Sequence, residues 1–308
     1  MHDTNRTIIV AAGPAERGHD ALALGTVLAR LRGARLVLVG VYLTPIGAGD
    51  GLYESALRAQ AARELELLRS AAPDDVDVEA RVIGSTSVVR GLHAVAEDMD
   101  AETLVIGPSH LTHAGRLLRG DVTIDAIHAA PCAVAVAPAG YGDAHARHVL
   151  SRIGAAYDGS PEAEQALSAA SDLARSAGAR LHIVSVLDRP YVFVEPADFD
   201  QSGHASYLRS LADETGKRLE AARRGVGDGL AVTTELADGL AVAELARATA
   251  DLDLLAIGSR AYGPVKRVLL GSVASGVAGR AHCPVLVLPR GAAIDAGSRV
   301  APAQAAVT

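Results

Sequence analysis

The segment GSRAYGPVKRVLLGSV, which begins at Gly258, carries residue types that could hold a phosphate group. Main-chain amides can approach an anion closely at Gly258 and Gly271, and Ser272 can cap a helix whose N-terminus favours negative charge. Lys266 and Arg267 add positive charge to this segment. The same residues also fit a glycine-rich turn followed by an ordinary capped helix, so the spacing alone leaves both interpretations open.

No other segment of the sequence matches a standard catalytic or metal-binding pattern. The motifs GxxxxGK with Ser or Thr, GxSxG, HExxH and paired CxxC do not occur in it. His110 and His113 stand near Asp121, but no further ligand has a defining spacing, so exposed loop histidines are favoured over a metal site. Glu162 and Glu164 lie in the first turn of a predicted helix, where acidic residues are simply favourable.

Two stretches of the chain repeat one another. GARLVLVGV begins at Gly33 and GARLHIVSV at Gly178, while APCAVAVAP and AHCPVLVLP place Cys132 and Cys283 at the same point of the repeat. The chain is therefore predicted to be a tandem duplication. Equivalent positions in two copies argue against a disulfide between the cysteines, and each is expected to be a buried free thiol.

Apolar runs of strand length alternate with helix-like spacing in both copies. In the second copy these runs predict strands at residues 153–157, 181–187, 232–236, 254–257 and 285–288. Strands this apolar, separated by helices, indicate parallel sheets covered on both faces. The predicted fold class is α/β, with two tandem Rossmann-like, doubly wound domains, each a five-stranded parallel sheet flanked by helices. Such sheets bind ligands at the carboxyl ends of their strands, near the switch point.

Domain boundaries follow from the repeat. Residues 1–140 form the first predicted domain, residues 147–290 the second, and residues 291–308 a flexible tail rich in small residues. Residues 138–148 are expected to form a short linker. A total of 308 residues is enough for two domains of about 150 residues each.

The composition argues against several classes of partner. Lys and Arg number 29 against 36 Asp and Glu, and the resulting net charge of −7 is unlike that of proteins that coat nucleic acid or anionic membranes. With Phe 2, Tyr 7 and Trp 0, few aromatic side chains could stack on bases. No apolar run approaches the ~18 residues of a membrane span, and no secretory signal precedes the first strand, so a cytoplasmic location is expected.

The duplicated α/β pattern and the glycine-rich segment resemble the universal stress protein family, UspA-like and in its tandem form, from about Thr7 to Pro289. The resemblance implies a fold similar to that of the adenine nucleotide alpha hydrolases. In the nucleotide-binding branch of the family, ATP is held by an acidic residue after the first strand and by a main-chain contact after the second. A glycine motif after the fourth strand, GxxG and a later Gly-Ser or Gly-Thr pair, holds the phosphates.

Carried onto this sequence, the resemblance implies an ATP site in the second domain. Asp158 stands for the acidic residue and would contact the ribose or a bound Mg²⁺, while Val186 would contact the adenine through its main chain. The motif that would contact the phosphates falls on Gly258, Ala261, Gly271, Ser272 and Val273. Ala261 departs from the family pattern, because glycine stands there in the motif and alanine is unfavourable wherever a positive φ is required.

The first copy departs further from the family pattern. Gly13 stands where the acidic residue belongs, His110 where the second glycine belongs, and Asp121 where the serine belongs. A carboxylate about 5 Å from a phosphate would oppose binding by roughly 3 kcal/mol at an effective dielectric constant of about 20. The sequence therefore predicts one competent nucleotide site per chain, in the second copy.

The function implied by the resemblance is an ATP-binding stress-response or signalling regulator that acts by nucleotide-dependent conformational or partner switching. Two alternatives stay open: a nucleotide-independent interaction or scaffold protein of the same fold, and a slow ATPase, for which the sequence shows no evident general base. The family pairs its domains through the fifth strand, here residues 133–137 and 285–288. The resemblance therefore implies a homodimer or an intramolecular pseudo-dimer, which would act on a protein partner.

Overall fold

The first half of the chain forms five strands and the helices between them. A computed structural model describes residues 6–13, 15–44, 51–108, 122–144, 149–187, 201–259 and 271–288. The elements of the first half are β1 (Thr7–Ala12), α1 (Ala15–Arg32), β2 (Arg35–Leu43), α2 (Gly51–Ser70), β3 (Val78–Ser85), α3 (Val88–Asp98), β4 (Thr103–Ile106), α4 (Val122–Ile127) and β5 (Ala133–Val136). A short helix, α5 (Tyr141–Ala144), then leads to the second half.

The second half repeats the same succession of elements. They are β6 (Arg152–Ala156), α6 (Pro161–Ala177), β7 (Arg180–Leu187), α7 (Gln201–Gly225), β8 (Val232–Asp238), α8 (Ala241–Ala248) with one 3-10 turn (Thr249–Asp251), β9 (Leu254–Gly258), α9 (Ser272–Ala278) and β10 (Val285–Leu288). All five strands predicted for this half are present, and their ends differ from the predicted ends by at most two residues.

The ten strands form one continuous sheet in the order β3-β2-β1-β4-β5-β10-β9-β6-β7-β8. Within each half all neighbouring strands are parallel, which confirms the predicted doubly wound α/β fold with a five-stranded parallel sheet in each half. β5 and β10 run antiparallel, with Val136 opposite Val285 and Val134 opposite Val287. The two halves therefore meet through their fifth strands, as the resemblance implied for an intramolecular pair.

Helices cover both faces of this sheet. Because successive side chains of a strand point to opposite faces, Ile8 and Val10 of β1 belong to one apolar cluster and Ile9 belongs to the other. The first cluster contains side chains of α1, α2, α6 and α7, and the second contains side chains of α3, α4, α8 and α9. Burial on both faces explains why the strands read as continuous apolar runs in the sequence.

The chain order reverses beside β1 and beside β6, and this sets where a ligand site can lie. β1 lies between β2 and β4, and β6 lies between β7 and β9. Connections from neighbouring strands leave in opposite directions at such a point and open a crevice at the carboxyl ends. Because β5 and β10 are antiparallel, the carboxyl ends of the two halves face opposite edges of the sheet.

The described part of the segment expected to be a short linker, residues 138–144, contains α5, which is docked against α1. The Asp20 carboxylate of α1 accepts hydrogen bonds from the main-chain N–H groups of Gly140 (3.1 Å) and Gly142 (2.7 Å). A side chain at Gly142 would collide with the ring of His19. Glycine has little intrinsic helix propensity, so contacts with α1 rather than the local sequence hold this turn in place.

The two longest helices are largely exposed. Leu65 and Leu68 are the buried residues of α2, and Leu219 and Ala222 are buried among the described side chains of α7. Both helices carry many charged residues between these contacts. Within the described ranges, no helix combines the length and the apolar character that a membrane crossing needs.

Candidate functional site

A cleft opens in the second half where β6, β7 and β9 end, between α6, α8 and α9. Its volume is about 170 Å³, close to the roughly 150 Å³ of a protein cavity that holds benzene. The cleft therefore admits a group the size of an aromatic ring. The residues that line it are Ala156, Tyr157, Asp158, Ser160, Glu162, Ala163, Val184, Val186, Ala241, Leu245, Ile257, Gly258, Gly271, Ser272, Val273 and Ala274.

The cleft brings together six of the seven residues expected at an ATP site. They are Asp158, Val186, Gly258, Gly271, Ser272 and Val273. Three of them lie at the carboxyl ends of β6, β7 and β9, and three lie at the start of α9, which is where the switch point of a doubly wound sheet places ligands. The seventh, Ala261, lies outside the described residues, as do Lys266 and Arg267.

Asp158 lies exposed at the rim of the cleft, in the turn after β6. Its Oδ1 accepts a hydrogen bond from the main-chain N–H of Ser160 at 2.9 Å. Gly159 lies between them with a φ of +81°, a conformation that favours glycine. The turn therefore holds the carboxylate at the mouth of the cleft, where it can contact a ligand or a cation.

The start of α6 forms one wall of the cleft. Ser160 caps the helix, because its Oγ accepts a hydrogen bond from the main-chain N–H of Ala163 at 3.2 Å, and Pro161 follows it. Glu162, which sequence reasoning treated only as a favourable first-turn acid, is 9% exposed and lines the cleft. Its place in the first turn of the helix that directly follows the β6 strand end is the signal that could have identified it.

The main-chain groups of Val186 face the cleft. On the β6 side of β7, the carbonyl oxygen of Val184 accepts a hydrogen bond from the N–H of Tyr157 at 2.8 Å. On the β8 side, the carbonyl oxygen of Leu187 accepts one from the N–H of Gly239 at 3.2 Å. Because successive residues direct these groups to alternate sides, Val186 directs its N–H and C=O toward β6. β6 ends before this level of the sheet, so these groups can hydrogen-bond the edge of a planar base.

Gly258 permits close packing of α6 on the end of β9. A Cβ atom at this position would lie 2.6 Å from the main-chain carbonyl carbon of Glu162, closer than Cβ contacts in real structures. The first half repeats the arrangement, because a Cβ atom at Gly107 would collide with the main chain of Arg17. Gly258 therefore has a packing role that operates with or without a ligand, and its presence alone does not identify phosphate binding.

The helix α9 starts at Ser272, and Gly271 is its N-cap, with φ of −68° and ψ of 148°. The prediction that Ser272 caps this helix is therefore wrong by one residue. A capping side chain belongs to a residue with a non-helical backbone, whereas the backbone of Ser272 is already helical. The Ser272 side chain is exposed on the wall of the cleft, so its hydroxyl can contact a ligand at the start of the helix.

The described lining residues give the cleft an apolar floor and an acidic rim. Val184, Leu245 and Ile257 are buried apolar side chains of the floor. Asp158 carries the charge of the rim, the buried Glu162 lies on the wall next to it, and none of the described lining residues is basic. The floor suits a planar ring, and the rim suits a hydroxyl group or a cation better than a bare anion.

Tyr157 contributes a neutral aromatic ring to the cleft. Its hydroxyl donates a hydrogen bond to the Glu164 carboxylate. Burial, followed by this hydrogen bond, raises the pKa of Tyr157 to about 12, although the nearby Arg218 acts in the opposite direction. The phenol is therefore protonated at neutral pH and does not act as a general base.

The donor set suits an adenine nucleotide that carries a cation. The edge of a base can pair with the main-chain groups that Val186 directs into the cleft, and hydroxyl or phosphate oxygens can meet Asp158 and Ser272. Mg²⁺ prefers oxygen ligands and is commonly held by one or two carboxylates together with substrate phosphates. Among the described residues no three His, Cys, Asp or Glu side chains lie close enough to hold a metal ion, so a cation here would also need oxygens from the nucleotide.

The corresponding strand ends of the first half carry different side chains. Gly13 follows β1, and Arg17 lies in the first turn of α1, at the two places where the second half has acidic residues. His110, His113 and Asp121 lie outside the described residues. The loss of a nucleotide site from the first half, which rests mainly on Asp121, therefore stays a prediction.

Comparison with known protein sequences finds matches that span both halves. The family model described as the universal stress protein family matches residues 4–138 and 150–289. A curated universal stress protein of Mycobacterium tuberculosis strain H37Rv is 27% identical to this chain over 293 residues, which cover 92% of this chain and 99% of the relative. The similarity therefore extends over the whole tandem arrangement and is not confined to one domain.

Solved structures resemble the chain over a similar extent. A universal stress protein from Archaeoglobus fulgidus matches with a TM-score of 0.65 at 20% identity, over 93% of this chain and 99% of that chain. A protein from Pseudomonas aeruginosa PAO1, described as functionally unknown, matches with a TM-score of 0.60 at 20% identity, over 92% of each chain. At this level of identity the likeness bears on the fold alone.

Proposed function

The chain belongs to the universal stress protein family, and from this premise we propose that its second half binds ATP, together with Mg²⁺, in the cleft at the ends of β6, β7 and β9. One observation carries the proposal: six residues that the resemblance assigns to an ATP site, drawn from three strand ends and one helix, line a single cleft of this half. The bound nucleotide would serve a stress-response or signalling role.

Each part of the cleft has a distinct role in this proposal. The adenine ring occupies the apolar floor and pairs with the main chain of Val186. Asp158 contacts the ribose or the cation from the rim. The start of α9, at Gly271, Ser272 and Val273, contacts the phosphates, because the N-terminus of a helix favours negative charge.

Nucleotide binding would act by shifting the positions of the helices that border the cleft. α8 lines it through Ala241 and Leu245, while α9 lines it from another side. A ligand that contacts both helices favours the conformations in which they lie together, and it shifts the population only as far as its affinities for the conformations differ. α8 also forms an ion pair with the edge strand β8, since the Arg247 guanidinium lies 2.8 Å from the Glu235 carboxylate. Movement of α8 would therefore change the surface at the outer edge of the sheet, where a protein partner could bind.

Calorimetry on the purified chain tests this proposal. Mass spectrometry first identifies any nucleotide released from the protein, and titration with Mg-ATP then measures its Kd. Asp158→Ala is expected to weaken Mg-ATP binding by about tenfold or more, because a charge-assisted contact contributes about 1.5–3 kcal/mol. Asp213→Ala removes an exposed carboxylate from α7 and should leave the Kd unchanged. A nucleotide-free preparation that gives no signal with Mg-ATP would contradict the proposal.

The acidic rim also supports a second candidate, a nucleotide-independent interaction protein of the same fold. Asp158 and Glu162 repel phosphate groups, and none of the described lining residues is basic. If this candidate is correct, Asp158→Ala and Ser272→Asp leave partner binding unchanged. A slow ATPase would instead show ATP turnover that Asp158→Asn abolishes while ATP binding persists.

A further inference from the structure

Glu162 is a buried acidic residue that lines the cleft. It lies in the first turn of α6 and is 9% exposed. Gly258 lets the α6 main chain approach β9 so closely that a Cβ atom there would lie 2.6 Å from the carbonyl carbon of Glu162. Packing therefore fixes the start of α6, and Glu162 with it, against the strand end that borders the cleft.

Two acidic residues line this side of the cleft. Asp158 and Glu162 both line the cleft, and they stand at the N-terminal end of α6, where the helix dipole favours carboxylates. A negatively charged ligand that enters the cleft meets both of them. Because Coulomb repulsion falls only with the first power of distance, a phosphate several ångströms away still binds less well beside two carboxylates.

The first half carries different charges at these positions without changing the packing. Gly13 and Arg17 occupy the corresponding positions, so a basic residue, preceded by the acidic Glu16, stands where the second half has Glu162. Gly107 lies against the main chain of Arg17 as Gly258 lies against that of Glu162. The backbone arrangement therefore does not require an acidic residue at this position, and the first half shows that a basic residue fits there.

We propose that Glu162 makes nucleotide binding by the second half depend on a divalent cation. The inference rests on the proposed function, since it concerns which charge state of the nucleotide the cleft accepts. Glu162 and Asp158 together disfavour free ATP and favour ATP whose phosphates are neutralised by Mg²⁺. Mg²⁺ prefers carboxylate and phosphate oxygens as ligands, so the acidic wall attracts the cation that free ATP lacks. Adenosine is uncharged, and its binding is independent of Glu162.

Glu162→Gln separates the charge of this side chain from its shape. Calorimetry measures three dissociation constants: for adenosine, for ATP in excess EDTA and for ATP in excess Mg²⁺. The wild-type chain is expected to bind Mg-ATP more tightly than free ATP. In E162Q the ratio of these two constants is expected to fall by about tenfold, because free ATP binds more tightly, while adenosine binds as in the wild type. Asp213→Asn removes one exposed carboxylate elsewhere and should leave the ratio unchanged.

The adenosine measurement distinguishes failure of this inference from failure of the proposed function. An unchanged ratio in E162Q, with adenosine still bound, overturns the role of Glu162 and leaves the nucleotide site in place. Absence of both adenosine and Mg-ATP binding to the wild-type chain overturns the proposed function and this inference with it. Glu162→Arg copies the first half and supplies a second variant if E162Q does not fold. It is expected to bind free ATP at least as tightly as Mg-ATP, and retention of the wild-type preference would overturn the inference.

Discussion

The two halves of the chain share their strand order and the close packing of single glycines, yet they carry different charges where their first strands end. Gly107 and Gly258 each allow a helix to contact the end of a fourth strand. At the start of that helix the first half has Arg17 and the second half has Glu162. The fold thus depends on apolar alternation and on glycine at a crowded contact, whereas the charged side chains at the strand ends differ between the halves and are proposed to decide what each half binds.

The halves also differ on the outer surface of their first helices. α5 docks on α1 through Asp20, which accepts two main-chain hydrogen bonds. The corresponding residue of α6 is Gln165, whose neutral amide is a weaker acceptor than a carboxylate. Asp20 therefore provides a charged acceptor for the segment after β5, whereas α6 has a neutral amide at the same position.

The largest effect is expected when the second half receives the charge of the first. Ser272→Asp introduces at the start of α9 the residue type that Asp121 supplies in the first half. A carboxylate about 5 Å from a phosphate opposes binding by roughly 3 kcal/mol, which corresponds to a loss of about 100-fold in affinity. Calorimetric titration with Mg-ATP measures this loss.

Ser168→Asp provides the control for this substitution. Ser168 is exposed in the middle of α6 and does not line the cleft, so the added charge there should leave the Kd unchanged. If Ser272→Asp binds Mg-ATP as tightly as the wild type, the charge at this position does not distinguish the halves.

The next-largest effect is expected at the glycine contact that both halves share. Gly107→Ala and Gly258→Ala should each lower the free energy of unfolding by about 2 kcal/mol, because an added methyl group would overlap the main chain of the packed helix. Urea unfolding measures the change. Gly216→Ala, at a site in α7 where a Cβ atom meets nothing within 4 Å, should instead raise the free energy of unfolding by up to about 1 kcal/mol. Destabilisation by only one of the two substitutions would show that the glycine contact is not common to both halves.

A smaller effect is expected from the contact between Asp20 of the first half and the segment that contains α5. Asp20→Ala removes both hydrogen bonds to the linker and should lower the free energy of unfolding by about 1.5 kcal/mol, since the freed N–H groups can turn to water. Nucleotide affinity of the second half should not change. Asp213→Ala, an exposed carboxylate of α7, serves as the control for urea unfolding. An equal effect of the two substitutions would argue that α5 gains nothing from Asp20.

The smallest effect is a pH dependence at the outer edge of the second half. The Arg247 guanidinium, and then His182, hold the pKa of Glu235 below its ordinary value. This pairing therefore stabilises the fold above pH ~4.5, and the contribution is lost as the pH falls through the lowered pKa. Because Glu235 is about one-third exposed, the contribution should be less than about 1 kcal/mol.

Urea unfolding of the wild type and Glu235→Gln between pH 7 and pH 3 tests this dependence. The difference between the two proteins should shrink as the pH falls, and Arg247→Gln should reduce the same dependence. In the first half Arg81 stands at the place of Glu235 in the strand register. A difference that stays constant across the pH range would contradict the prediction.

The sequence predicted most of the fold because the strands are buried on both faces. Apolar runs such as Leu181 to Leu187 predict strands, and the repeat predicts the same elements in both halves. It did not predict α5, since Gly142 weakens any local helix signal and the contact that holds the turn comes from Asp20, far earlier in the chain. Structure stabilised by such distant contacts leaves little trace in the local pattern.

The sequence also predicted which residues would meet in the cleft, but it described some of them incompletely. The carboxyl ends of parallel strands lie at the same edge of a sheet, so the sequence alone could place Asp158 and Gly258 near each other. Glu162 was missed as a lining residue because an acid in a first helical turn has a sufficient local explanation. The packing role of Gly258 was also hidden, since it depends on how closely α6 approaches β9.

The antiparallel pairing of β5 with β10 makes the contact between the two halves unimolecular. Its strength is set by an effective concentration within one chain, so dilution does not separate the halves as it would separate two subunits. Identical subunits would also bring two identical ends together, whereas fusion guarantees that every molecule contains one half of each kind. A duplication joined in this way lets one half diverge freely, because its partner is always present in equal amount.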